Sequence, residues 1–509
     1  MSSRSVKACK CVARWQAHGR PWLLPASLAL LAGCTVGPDF KRPQTSTPAR
    51  YTESANPGTS VASDVSGGNA QRVIENRDIP GDWWTLFQSP QITKLVTEAL
   101  QNSPTIDAAS ATLRQAQELE RAQRGTLFPS ITGGAGTTRQ QQPQTFQVGK
   151  KTKPLIDTDN NVNLGLSYTV DFWGGLRRQI EQAHAQVDYQ RFQLEAAYLT
   201  LSSGVASSAI QAASLQQQVD TQAQLIDLQK DQLDVVRKQF ELGAATGTDV
   251  AQQESQVASA QATLIPLKTQ LTQTRNQLAA YLGRAPSEVA IPRIDLDALT
   301  LPADVPLSLP ATLVGQRPDI RAAEALLHEQ TAAVGVAIAD RLPNVMLSAS
   351  VGSDAYTAQR LFTATNGAWS LGLQATTTLF DAGQLKHRQY AQTAQMEAAA
   401  AQWRNQVVSA FQNVADVLVS LQNDAENLHY VLNAKQAAER SLDLATQQYK
   451  LGGVSYLSVL SAQQTYQGAA LSLIRARAAR FSDTIALYQA LGGGWWNRKD
   501  AADSLTQAK

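Results

Sequence analysis

The chain repeats itself. Leu242-Gly243, followed by Thr246, Asp249 and Val250, returns 209 residues later as Leu451-Gly452, followed by Ser455, Ser458 and Val459. Leu282-Gly283 and Leu491-Gly492 keep the same offset. Upstream, Pro104 and Pro129 stand 25 positions apart, as do Pro318 and Pro343, with these copies 214 apart. A repeat of this length means two similar structural units. Each copy holds alternating strand-like segments and long helical ones, so the expected class is α+β with two structural repeats. The expected divisions are 34–80, an extended arm; 81–283, the first repeat; 284–317, a connector; 318–494, the second repeat; and 495–509, a flexible tail.

Residues 1–33 carry Arg4, Lys7, Lys10, Arg14 and Arg20 and no acidic group, then the short apolar run 22–31. That is the pattern of a secretory signal, and the run is too short to span a bilayer. It ends in Leu31-Ala32-Gly33-Cys34, which matches the bacterial lipobox and implies a diacylglyceryl thioether and an N-acyl group on Cys34. Thr35 rather than Asp follows, the sorting pattern for the outer membrane. Without the signal, 39 basic groups face 42 acidic ones, a balance of −3 that gives no basic face for nucleic acid. Cys9 and Cys11 leave with the signal. Cys34 then remains as the sole cysteine, which excludes a disulfide framework or a cysteine metal site.

No stretch after residue 33 reaches the 18 or so apolar residues of a spanning helix, so any crossing of a membrane has to be made by strands closed into a barrel. In 162–172 every even position is apolar or aromatic and every odd one small or polar. In 369–379 the odd positions carry the apolar set; 345–354 alternates over a shorter run, and 131–140 weakly. Period two over about ten residues is the pattern of a lipid-facing barrel strand. The expected strands are therefore about 130–140, 162–172, 344–354 and 369–380. The polar stretches 141–159 and 357–367 read as exposed loops.

After the glycine corners Gly174-Gly175 and Ala382-Gly383 the period becomes helical. Positions 215, 219, 222, 226, 229, 233, 236 and 240 alternate steps of four and three, as do 424, 428, 431, 435, 438, 442, 445 and 449. Six of eight suit a coiled-coil seam in each copy. The returning helix keeps one apolar residue per heptad at Val250, Val257, Leu264, Leu271 and Leu278. Long hairpins are expected over 176–282 and 383–491. Pro266 predicts a kink or local break in the first returning helix. Shorter helices open at Pro104 and Pro318, where proline suits the first turn.

Beyond the signal, which holds His18, four histidines (His184, His328, His387 and His429) lie far apart in helical patterns and read as surface positions. The sequence has no phosphate-binding loop, dinucleotide fingerprint or nucleophile elbow. The expectation is a protein that is not an enzyme and holds no metal and no cofactor beyond the lipid on Cys34.

Taken together, these residues resemble the outer-membrane efflux proteins of the TolC family, in the lipoprotein subclass that serves tripartite resistance-nodulation-division pumps. The segment 34–43 looks like that subclass's mature start. Gly81-Asp82-Trp83-Trp84, with Phe87 and Pro90, is similar to its first helical motif, and Arg317-Pro318-Asp319-Ile320 opens the second copy as the family does. The resemblance implies a homotrimer whose twelve strands form one β-barrel, continuous with a periplasmic α-helical tunnel. It implies passive conduction across the outer membrane, with a periplasmic adaptor and an inner-membrane pump as partners. Four strands cannot close a barrel alone, so the need for assembly follows independently; the number three comes from the resemblance. A periplasmic adaptor and a structural coiled-coil lipoprotein are the competing readings, opposed by the two hairpins and by the strands.

In the family the hairpin tips contact the adaptor. Gly243, Thr246, Asp249 and Val250, with Gly452 and Ser455, match that pattern. Tyr449 and Leu457 match positions of the closed aperture, where apolar side chains close a pore by dewetting. The family often adds charged groups a turn later; this chain has Ser461 and Gln464 there, leaving Asp249 as the candidate carboxylate near the mouth.

Overall fold

The computed structural model describes residues 35–44, 48–53, 58–141 and 156–498. The signal, Cys34 and most of the tail lie outside the described residues. In chain order the elements are β1 (Arg72–Glu75), α1 (Pro90–Asn102), α2 (Pro104–Gly125), β2 (Ser130–Gln141), β3 (Ile156–Val170), α3 (Gly175–Glu241) and α4 (Gly247–Tyr281). They continue with β4 (Asp304–Leu307), α5 (Pro310–Gln316), α6 (Pro318–Ala339), β5 (Asn344–Ala355), β6 (Gly367–Thr376), α7 (Gln384–Lys450) and α8 (Tyr456–Ala490). Lengths recur: α2 and α6 have 22 residues each, α3 and α7 have 67, α4 and α8 have 35, and β2 and β5 have 12. The chain divides into two compact units, each drawn from both halves of the sequence.

The first unit is built on an antiparallel sheet in the order β2-β3-β5-β6. Register shows why the sequence alternates. Ile131 faces Leu166, which faces Ala349, which faces Leu371; the next row is Gly133, Leu164, Val351 and Trp369. Tyr168, Leu347 and Leu373 continue the same face. The opposite face carries Thr132-Gly165-Ser350-Ser370 and Ser130-Ser167-Ser348-Gly372. Serine pairs link neighbouring strands there, Ser130 with Ser167 at 2.7 Å and Ser350 with Ser370 at 2.8 Å. One face is thus apolar and the other polar, and the apolar one is bare: Trp369 is 80% and Leu373 72% exposed. Where each strand pair meets its long helix, an aspartate caps the turn. Asp171 accepts from the backbone N–H groups of Leu176 and Arg177, and Asp381 from those of Gly383 and Leu385.

The second unit is helical. At about 1.5 Å per residue, a helix of 67 residues is roughly 100 Å long. Seam positions behave as the heptad pattern predicts: Leu215, Gln222, Ile226, Gln229, Leu233 and Val236 are buried on α3, and Leu428 and Ala438 on α7. Glutamines bridge the seam from both helices. Gln222 Nε2 donates to the Ala260 carbonyl at 2.9 Å, and Gln253 Nε2 to the Gln229 carbonyl at 2.8 Å. A larger core gathers Trp83, Phe87, Ile92, Phe481 and Tyr488, with Trp83 stacked on Tyr488 at 5.3 Å.

Two expectations are corrected here, at Pro266 and at His328. Helix α4 runs unbroken through Pro266, because that residue is solvent-exposed and water can satisfy the carbonyl that its missing N–H leaves free. The arm and the connector meet in a short sheet, β1 pairing with β4 in parallel, Arg72 with Asp304 through Glu75 with Leu307. Four-residue strands are too short to show a period. The first helical motif is a 3₁₀ turn, Trp83–Phe87, with Trp83, Trp84 and Phe87 in the core. His328 is no surface histidine, since its ring stacks on Phe40 at 4.3 Å and its Nε2 lies 2.9 Å from Glu181.

Candidate functional site: the hairpin tips

Both long helices end in the same backbone device. Gly243 has φ 73°, Gly243 N donates to the Phe240 carbonyl, and Ala244 N to that of Gln239. Gly452 has φ 76°, with Gly452 N donating to Tyr449 and Gly453 N to Gln448. This is the Schellman closure, which requires a left-handed residue and therefore glycine at that place. Gly283 and Gly492 close α4 and α8 in the same way. The 209-residue repeat is, at its four Leu-Gly signatures, a set of helix stops.

The turns then diverge. Thr246 caps α4, and Asp249 N donates to Thr246 Oγ1 at 3.2 Å. Asp249 Oδ2 in return accepts from Thr246 N at 2.8 Å and from Thr246 Oγ1 at 2.7 Å, a reciprocal capping box. Ser455 caps α8 with no side-chain bond to the backbone; its hydroxyl meets that of Ser458 at 3.3 Å. Asp249 is therefore committed to its own turn.

Two tyrosines tie the hairpins together. Tyr449 Oη donates to Gln239 Oε1 at 3.2 Å, and Tyr456 Oη to Gln253 Oε1 at 2.7 Å. Their rings lie 5.2 Å apart, above an apolar cluster of Val236, Val459 and Leu460 against which Val250 packs. Burial raises both phenols above their ordinary range, and the Asp249 carboxylate adds to the rise. Both hydroxyls accordingly stay protonated donors. Gln464 Nε2 adds a third link, to Gln256 Oε1 at 2.9 Å. Tyr456 and its partner Gln253 are absent from the sequence-derived candidates. The repeat itself marks Tyr456, since the equivalent residue 209 positions earlier is Gly247.

Leu457 points away from this cluster and is 60% exposed. It lines an open groove of about 1170 Å³ with Ser461, Leu444, Gln448, Arg440 and Gln256. Of the sequence candidates, Tyr449 and Val250 join the link between hairpins, and Leu457, Ser455 and Ser461 face the groove. Gly243, Gly452, Thr246 and Asp249 build the turns, while Cys34 lies outside the described residues. The arrangement holds no set of groups for covalent chemistry. Among the described residues no cluster of His, Cys, Asp or Glu suits a metal, and no helix is long and apolar enough to cross a membrane.

Comparison with known proteins agrees along most of the chain. The model of the outer membrane efflux protein family matches residues 95–284 and 309–493. The pyoverdine export outer membrane protein OpmQ of Pseudomonas aeruginosa is 31% identical over 416 residues, 81% of this chain and 87% of that protein. Among solved structures, the outer-membrane channel OprN superposes with a TM-score of 0.80 at 25% identity, over 91% of this chain and all of its own. The outer membrane protein VceC of Vibrio cholerae gives 0.74 at 28% identity, over 82% of this chain and 100% of its own. The chain belongs to the outer membrane efflux protein family.

Proposed function

We propose that this protein is the outer-membrane channel of a tripartite efflux pump, a passive duct that carries small molecules from an inner-membrane pump and periplasmic adaptor to the exterior. The observation that carries the reading is the two-faced sheet. It has a bare apolar face, a polar face and unpaired outer edges on β2 and β6 among the described residues. Such edges need another copy, and such faces need lipid on one side and water on the other. Three copies would give a twelve-stranded barrel, with the long helices of the two repeats continuing it as a periplasmic tunnel. Equal lengths of the paired helices and of the first strand of each copy support the repeat reading, with divisions at 81–283 and 318–494.

Cys34 carries the lipid anchor in this reading, and the tips meet the adaptor. The aperture is closed by Leu457 and neighbouring groove residues. The Tyr449–Gln239 and Tyr456–Gln253 bonds hold the hairpins in register, a neutral lock in place of an ionic one. Seam and lumen side chains rich in Gln and Ser are chemically permissive. Related proteins are named for pyoverdine export and toluene efflux, which supports a cargo class of medium-sized organic molecules.

The test is accumulation of a fluorescent efflux substrate in cells lacking their own channel but retaining pump and adaptor. Expression of this chain should lower accumulation several-fold. Unchanged accumulation, with the protein present in the outer membrane and its cognate pump and adaptor co-expressed, would overturn the proposal.

A further inference from the structure

The first described residues of the arm are held more closely than a terminal segment requires. Ordering each residue costs about 1–2 kcal/mol of backbone entropy, so a fixed terminus needs specific contacts. Val36 N donates to the Trp173 carbonyl at 3.0 Å. Arg178, only 3% exposed, donates from Nε to the Val36 carbonyl at 3.1 Å and from Nη2 to the Gly37 carbonyl at 3.4 Å.

Three glycines make the fit. Gly37 has φ +94°, and a Cβ there would fall 2.5 Å from the Gly335 Cα. A Cβ on Gly335 would meet Arg178 Cγ at 2.9 Å, and one on Gly174 would meet Thr35 Cγ2 at 2.6 Å. All of these residues belong to the sheet unit.

The seat sits at a chemically marked level. Trp173 follows β3, and at the same end of the sheet Phe128 precedes β2 while Leu379 and Phe380 follow β6. All four are substantially exposed, Phe380 to 88%. A ring of exposed aromatic and apolar side chains at one end of a barrel sheet is the girdle found at a membrane–water interface.

We infer that Arg178, Gly174 and Gly335 form a docking seat for the mature amino terminus, which delivers the acyl chains of residue 34 to the bilayer at the level of this girdle. Arg178 is a positioning residue: it holds the arm by the carbonyls of Val36 and Gly37, and the lipid attaches two residues before Val36. Anchor and barrel thus share one plane, and the arm adds no slack between them. The inference rests on the reading of Cys34 as lipidated.

Hydrogen exchange on the full-length, membrane-extracted protein tests the seat, because the mass of the amino-terminal peptide also reports acylation. Two variants attack it from opposite sides: Arg178→Ala on the receiving helix, and Gly37→Ala on the arm, which leaves every residue of the receiving elements unchanged. Both should speed exchange of the Val36 amide at least tenfold while the acylated mass persists. Unchanged protection in both variants would overturn the seat.

The level is tested by Pro38→Cys labelled with bimane in nanodiscs, where acylated Cys34 leaves the new thiol as the single reactive one. Headgroup-level nitroxide lipids should quench it more than nitroxides at the acyl ends. Equal absence of quenching by both would overturn the membrane level. An unacylated wild-type peptide would instead overturn the anchor reading itself, whatever the exchange shows.

Discussion

Asp249 and Ser458 occupy the same place in the two hairpin turns, and only the first completes a capping box. Thr246 stays the cap in Asp249→Ala, but the reciprocal half of the box and a first-turn carboxylate are lost, which should loosen the first tip by about 0.3–1 kcal/mol. Ser458→Asp should gain a similar fraction of a kcal/mol by giving Ser455 the partner it lacks. Exchange rates of the amides at 247–250 and 456–459 check both, and no change in either turn would contradict the capping account. A second residue-scale feature lies on α8. Asp483 is half-buried beside Asp424 and pushed up to about 8, first by burial and then by the Asp424 hydrogen bond and charge, with Arg480 opposing. A carboxyl whose folded-state value exceeds its unfolded one binds more protons when folded. Its stabilising contribution is therefore complete below about pH 4 and is lost as pH rises toward 8. Asp483→Asn should flatten that part of the stability–pH curve, read from thermal midpoints at pH 5 and pH 8; an unaltered slope would remove this pair from the account.

At the scale of elements, the heptad seams carry the long hairpins. Leu428 is fully buried on α7, and truncating such a side chain costs about 2–5 kcal/mol. Leu428→Ala should lower the thermal midpoint by several degrees without altering the sheet, whereas truncation of exposed Leu444 should do little. The seams were legible because helical periodicity is sustained over many turns, and the strands of the four-stranded sheet because alternation survives even where Gly replaces a side chain. The four Leu-Gly stops were legible because glycine takes the left-handed closure at no steric cost. Less could be read where long-range packing decides. The β1–β4 pair joins four-residue segments from distant parts of the chain, and Gln253 looks like any surface glutamine until Tyr456 is seen above it. Pro266 misled because proline's cost depends on which side of the helix faces water, and the sequence period there is weak. His328 misled because its partner, Phe40, lies in an arm that has no periodicity to place it.

At the scale of the whole molecule, the proposal is that several copies share one sheet. Among the described residues, the sheet has an apolar face, a polar face and unpaired outer edges, and such a sheet is better satisfied by joining further strands. The helical unit is far longer than a fold of this size needs for its own stability, which fits a wall built to cross a compartment. The central claim is that this wall and sheet enclose a conducting path, closed at the tips by apolar contact and tyrosine–glutamine bonds. Planar-bilayer recording of the purified, membrane-extracted protein tests it most directly. The account predicts discrete conductance steps, rare in the native chain and more frequent in Leu457→Ser. Properly inserted protein that gives no steps in either form, under voltages and salt that open related channels, would contradict it.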